Sequence, residues 1–316
     1  MAKFSQVQFK PSVDLSAIHA AYVVATGAAC TDERTENLLV KPAAELNTRL
    51  LSSSIDIPMF WHSLYAAYAA GESEQTACES ALSAGGCSEL QLEQTGKAVA
   101  RLVAECTGKF KKRFPKLEAQ LELRANPLKT KWETCGPGLL IQSAALIWDS
   151  TPPTGWWPAK IHGWLVQPIR GGDGQFDAKT QRFWIEAMLT DGDPRIPEVL
   201  RVGWLVTQLA IARNSGTKVA DSSGRMPWGL GTIPIVLAAG AELDLVHGPL
   251  PIADTVRWWR MGDDAIAKIL IDWWGQWRQT KTSMPVALKA LDKMLQSTRQ
   301  PFLQRKIDLS DIEDEL

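Results

Sequence analysis

The chain has 316 residues, with 34 Lys and Arg against 35 Asp and Glu, 45% apolar residues and five cysteines. A formal net charge of -1 argues against a generally cationic nucleic-acid binder, whose affinity comes largely from neutralising phosphates. Charged residues make up 22% beside that apolar content, which excludes wholesale disorder, and the length allows one large domain or two closely packed ones.

The opening MAKFSQVQFKPSVD lacks the unbroken apolar run of a secretory leader. From Asp14 to Thr26 a helix is expected, capped by Asp14 or Ser16, with Ile18, Ala21 and Tyr22 on one face. Pro42 and Pro58 each suit the first turn of a helix, and Gly71 stops the second of these. After Leu90, the three- and four-residue spacing of Leu92, Val99, Leu102, Val103 and Cys106 predicts a long amphipathic helix.

Character changes after Asn126-Pro127. Gly138 to Trp148 reads as strand or helix, while His162 to Val166 and Arg182 to Leu189 read as strands. The Pro168-Ile-Arg-Gly-Gly-Asp-Gly turn between them predicts an antiparallel hairpin. Pro197 starts a helix reaching about Arg213, with apolar residues around nearly its whole circumference and therefore buried on most sides. A second apolar helix is expected over Ile233 to Val246, then amphipathic helices over 252–261, 264–278 and 285–295 and an acidic tail.

Tryptophan is anomalous: 14 residues, against eight Phe and three Tyr, with all but Trp61 at or beyond Trp132. The N-terminal part is rich in Ala, Ser, Glu and Gln. The shift divides an N-terminal helical region, 1–125, from a Trp-rich mixed region, 126–316, with a single domain left open. In the helical doublets neighbouring rings point about 100° apart, so one ring of each packs inward and the other reaches the rim, where several would make a shared aromatic surface.

Chemical constellations are sparse. The Gly171-Gly172-Asp173-Gly174 turn reads as a hairpin turn, or as a loop holding a cation or phosphate through backbone N–H groups. Asp191 and Asp193 read as caps of the following helix. His19, His62, His162 and His247 are scattered, no Cys-x-x-Cys occurs, and Cys30, Cys78, Cys87, Cys106 and Cys135 read as free thiols of a reducing compartment, Cys135 alone in a loop-like setting. No metal or cofactor is expected. The run Lys109 to Lys116 carries five cations and reads as a solvated helix end, with an acidic partner or nucleic acid as the other reading.

The order of elements, from hairpin and edge-like strand Arg182 to Leu189 to two buried helices, the second containing VLAAGAELDLV, resembles the core of gluzincin metallopeptidases. In that family the first helix carries His-Glu-x-x-His and the second a Glu before Gly. The alignment that the resemblance implies puts Trp204, Leu205 and Gln208 at the first three positions and Ala239, before Gly240, at the last. All four chemical groups are lost, so the resemblance implies a scaffold without zinc or its activated water. It also implies a cleft between strand and helix lined by Glu186, Glu198, Arg201, Trp204, Gln208, Met226 and Trp228.

The expectation is a mainly helical α+β protein, cytoplasmic, with a small antiparallel sheet packed against N- and C-terminal helices. Its expected function is non-catalytic binding or assembly, with a protein or peptide partner, no nucleic acid and no membrane; catalytic residues are none, and the oligomeric state is open. The alternative is an enzyme, a hydrolase whose site assembles from distant Glu186, Glu198, Arg201, Asp173 or His162.

Overall fold

A computed structural model describes residues 6–148, 152–215 and 226–304. Eleven helices and one four-stranded sheet make up these residues, a mainly helical α+β fold. They form two compact units: one of the residues up to Thr134 with Ala159–Gly192, the other of Cys135–Pro158 with Asp193 onward. The sheet thus belongs with the N-terminal helices, and the units interleave along the chain instead of meeting at 125.

In the N-terminal unit, α1 (Val13–Ala25) starts at Ser12, whose side chain accepts the Leu15 amide. Asp32 caps α2 (Glu33–Ser52) in the same way. Pro42 lies in the interior of α2, not in its first turn. Asp56 caps α3 (Ile57–Ala70), with Pro58 in its first turn and Gly71 closing it in the left-handed region at φ 81°. Helices α4 (Glu74–Ala84) and α5 (Glu89–Arg113) complete the bundle, and the Val99, Leu102, Val103, Cys106 stripe of α5 is buried. At the end of α5 the expected solvated cations make ion pairs: Lys109 with Glu105, Lys111 with Asp14 and Arg113 with Asp32.

Helix α6 (Leu117–Trp148) overturns several readings at once. It runs through Pro127 and through Gly136-Pro137-Gly138, so Gly138 to Trp148 is helix and Cys135 lies on a helix, not in a loop. Apolar residues at Leu117, Leu121, Ala125, Leu128 and Trp132 recur at three- and four-residue steps and are buried, which outweighs the local cost of proline.

The sheet is mixed, not antiparallel, in the order β1-β2-β4-β3. Strands β1 (Gln6–Pro11), β2 (Lys160–Val166) and β4 (Arg182–Glu186) run parallel, and β3 (Gly174–Asp177) is antiparallel to β4. The hairpin is therefore β3–β4, and the strand expected at an edge, β4, is interior. Gly163 on β2 stands between Phe9 and Phe183 of the neighbouring strands, and a Cβ there would lie 2.6 Å from the Phe183 ring. The missing side chain is what lets the two rings meet edge to face at 6.1 Å.

In the C-terminal unit, α7 (Glu198–Ser215) is buried from Val199 to Ile211, as its all-round apolar sequence requires. Helix α8 (Trp228–Ala241) begins earlier than Ile233 and carries Pro234 inside it. Close packing needs its glycines: a Cβ on Gly240 would lie 2.7 Å from Leu200, and one on Gly231 2.5 Å from Leu288. Helices α9 (Ile252–Trp258), α10 (Asp264–Thr280) and α11 (Met284–Gln304) follow. The acidic stretch from Ile307 to Leu316 lies outside the described residues. Among the described residues, no helix is long and apolar enough to cross a membrane.

Candidate ligand-binding site

The N-terminal unit buries a polar chain with no exposed atoms at its centre. His19 on α1 and Glu186 at the end of β4 are both 0% exposed and 2.7 Å apart, His19 Nε2 to Glu186 Oε1. Oε1 also accepts the amides of Ile169 and Arg170 at 2.7 Å, and Oε2 accepts that of Gly172 at 2.6 Å. Gly171 and Gly172 adopt φ of 77° and 119°, the left-handed backbone that turns these N–H groups toward one point. The loop read as a possible phosphate cradle is indeed an anion nest, but its anion is the chain's own Glu186. Burial alone would raise the Glu186 carboxyl; the hydrogen bond and charge of His19, then the loop amides, hold it down at about 2.

With Nε2 turned to Glu186, His19 presents Nδ1 to the Tyr65 hydroxyl, 3.0 Å away. Burial keeps that phenol well above its ordinary pKa. Trp184 stacks on Tyr65 at 5.2 Å and packs on His19 at 4.6 Å. The cavity beside Tyr65 and Trp184 measures about 20 Å³, room for a single water, and neither His19 nor Glu186 lines it. The Tyr65–His19–Glu186 chain therefore pins the 167–174 loop and has no space in which to meet a substrate. Asp173 joins it through Arg170, 2.8 Å away, while His162 is half-buried on β2, where burial and then neighbouring cations lower its pKa.

The other expected cleft residues belong to the C-terminal unit. Glu198 and Arg201, one turn apart on α7, are 4% and 2% exposed, with Oε2 and Nε 2.9 Å apart. That contact is a close ion pair without an aligned Nε–H hydrogen bond. Indoles enclose it: Trp258 Nε1 donates to Glu198 at 3.3 Å and Arg201 lies 5.6 Å from the Trp259 ring centre. Trp204 stands 5.7 Å from Trp259 and donates to the Gly229 carbonyl at 2.9 Å, while Gln208 donates to Thr232 at 2.6 Å. These side chains hold α7 to α8. Met226 precedes α8, its carbonyl accepting the Trp228 amide. Among the described residues, no group of three His, Cys, Asp or Glu is placed to hold a metal ion.

Of the expected residues, Trp228 lines a large pocket. This pocket of about 830 Å³ lies within the C-terminal unit, between the end of α6, the start of α8 and the α10–α11 turn. Its walls include Trp148, Trp156, Trp228 and Trp277, with Arg278 and Lys281 among its polar residues. Trp148 and Trp156 meet edge to face at 5.0 Å, and Trp277 stacks on Trp273 at 5.5 Å. Asn214 donates to the Trp156 carbonyl at 2.9 Å, fixing the loop that carries that indole. Residues 145–148, 153, 156, 214, 277, 278 and 281–285 were missed as site residues. The available signal was the concentration of Trp, which did not say which rings would share one space. In the 258/259 and 273/274 doublets one ring is buried and the other half-buried, as expected; Trp156 and Trp157, in a loop, are both buried.

Comparison with known protein families, with curated proteins and with solved structures finds no match to this chain.

Proposed function

We propose that the protein is a non-catalytic binding protein that takes an apolar-bodied small molecule into the tryptophan-lined pocket of its C-terminal unit. One observation carries the reading: four indoles around a space of about 830 Å³, within the size range of small-molecule sites. Indole faces offer large apolar contact area at low conformational cost, and Trp148 is held by Trp156 and Trp277 by Trp273. The polar clusters of both units support the same reading, because each spends its charged groups on internal partners.

The test is titration of the full chain with 2-naphthamide, a neutral aromatic probe, followed by indole fluorescence and calorimetry. Saturable one-to-one binding that weakens at least tenfold in Trp228→Ala, with helical content unchanged, is expected. Absence of binding, or binding indifferent to Trp228, overturns it.

A further inference from the structure

The pocket is charged at one end and of one sign. Among its described lining residues Arg278 and Lys281 are cationic and none is acidic. Arg278 lies 5.7 Å from the Trp274 ring centre, and neither cation forms an ion pair with a described acid. The turn that carries this charge is built rigidly. Lys281 ends α10 in the left-handed region at φ 47°, its amide bonded to the Trp277 carbonyl at 2.8 Å. Trp277 Nε1 in turn donates to the Thr282 carbonyl at 2.7 Å, so the indole that walls the pocket also fixes the turn. The Ser283 carbonyl accepts the amides of Val286 and Ala287 at 3.0 Å, which places Ser283 at the head of α11, where the helix dipole favours negative charge.

Indole faces are electronegative, so an anion is repelled from the walls and drawn to this turn. A ligand that satisfies both parts has an apolar, flat body and one anionic end. We infer that the pocket takes an aromatic carboxylate, its rings among Trp148, Trp156, Trp228 and Trp277 and its carboxylate at Arg278, Lys281 and the Ser283 hydroxyl. This rests on the pocket reading above and adds the charge of the ligand to it.

The experiment compares three probes of one shape on the full chain: 2-naphthoate, 2-naphthamide and 2-naphthylmethylammonium. The acid is expected to bind at least tenfold more tightly than the amide, with the ammonium weakest, and the gap between acid and amide should narrow as salt is raised. Arg278→Gln and Lys281→Gln should each weaken the acid several-fold more than the amide, with helical content unchanged by circular dichroism. Equal binding of acid and amide, or cation variants that weaken both alike, overturns the carboxylate while leaving the pocket reading intact. Failure of all three probes overturns both. Self-association of the chain that the same two variants abolish would make a second copy the occupant, and it too would overturn the inference.

Discussion

The two units bury charge by opposite means. In the N-terminal unit the Glu186 carboxylate has four donors within 2.7 Å, three of them backbone amides of the 167–174 loop. In the C-terminal unit Glu198 and Arg201 face each other at 2.9 Å inside an enclosure of indoles, with one long hydrogen bond of 3.4 Å from Arg201 Nη2 to Glu198 Oε1. The first arrangement replaces the water of a carboxylate almost completely; the second relies on Coulomb attraction at low dielectric to offset desolvation. Fully satisfied buried charge fixes a backbone, whereas an enclosed ion pair fixes a helix surface and is replaceable by apolar side chains of similar volume.

The comparison breaks most sharply at Glu186. Glu186→Ala strands three amides and the His19 ring, and a loss of about 3–5 kcal/mol is expected in urea unfolding. A loss under about 1 kcal/mol would mean that water replaces the carboxylate and that the loop does not depend on it. At the ion pair, Arg201→Met alone should cost about 3 kcal/mol, since it removes the cation that faces the buried Glu198 carboxylate. Adding Glu198→Leu should restore most of that loss. If the double variant is as unstable as the single, the pair resembles the Glu186 nest more than its enclosure suggests.

Acid sharpens the same contrast. The Glu186 carboxyl titrates near 2 in the folded chain against 4.5 ordinarily, so the folded pKa is the lower one. Its stabilisation is therefore complete above about 4.5 and is lost as pH falls from there toward 2, by an amount on the order of 3 kcal/mol. His19, Tyr65 and Arg170 face this group, with Asp173 beyond Arg170, and none of them removes the sign of the effect. The difference in unfolding free energy between wild type and Glu186→Gln should shrink between pH 6 and pH 3; a difference that stays constant contradicts the depressed pKa.

Where local chemistry decides a boundary, the sequence was legible. Pro58 and Gly71 mark the ends of α3, and the α5 stripe and the all-round apolar α7 appear as their spacing requires. What escaped was decided elsewhere in the chain. Strand β1 is six residues of mixed polarity whose partner, β2, lies some 150 residues away, and β3 is four residues whose only pattern is its pairing with β4. Helix α6 carries Pro127 and Pro137, local arguments for a break that its long buried stripe overrides. Glu186 was visible as a polar residue on a strand, but nothing nearby in sequence says that the Gly-rich loop turns its amides onto that residue. The Trp-rich composition foretold aromatic clusters, not the particular four rings around the pocket.

The smallest effect tests whether the exposed end of the N-terminal unit follows the logic of its buried one. Asp32 caps α2 by accepting the amides of Arg34 and Thr35 at 3.2 and 3.3 Å, and it takes the Thr35 hydroxyl at 2.7 Å. Arg113, from the last turn of α5, closes on it with contacts of 2.8 and 2.9 Å and also donates to Thr35. Partial burial pulls the Asp32 carboxyl up, and the Thr35 and Arg113 bonds pull it further down, so it stays ionised into the acid range. Like Glu186, this is a carboxylate serving backbone amides and one basic side chain, but water reaches it. Asp32→Ala should therefore cost about 1 kcal/mol, the ordinary worth of a helix cap, and Arg113→Met less than that. If the Asp32 variant loses as much as Glu186→Ala in the same urea titration, solvent exposure is not what separates the two sites, and the α2–α5 contact is part of the cooperative core.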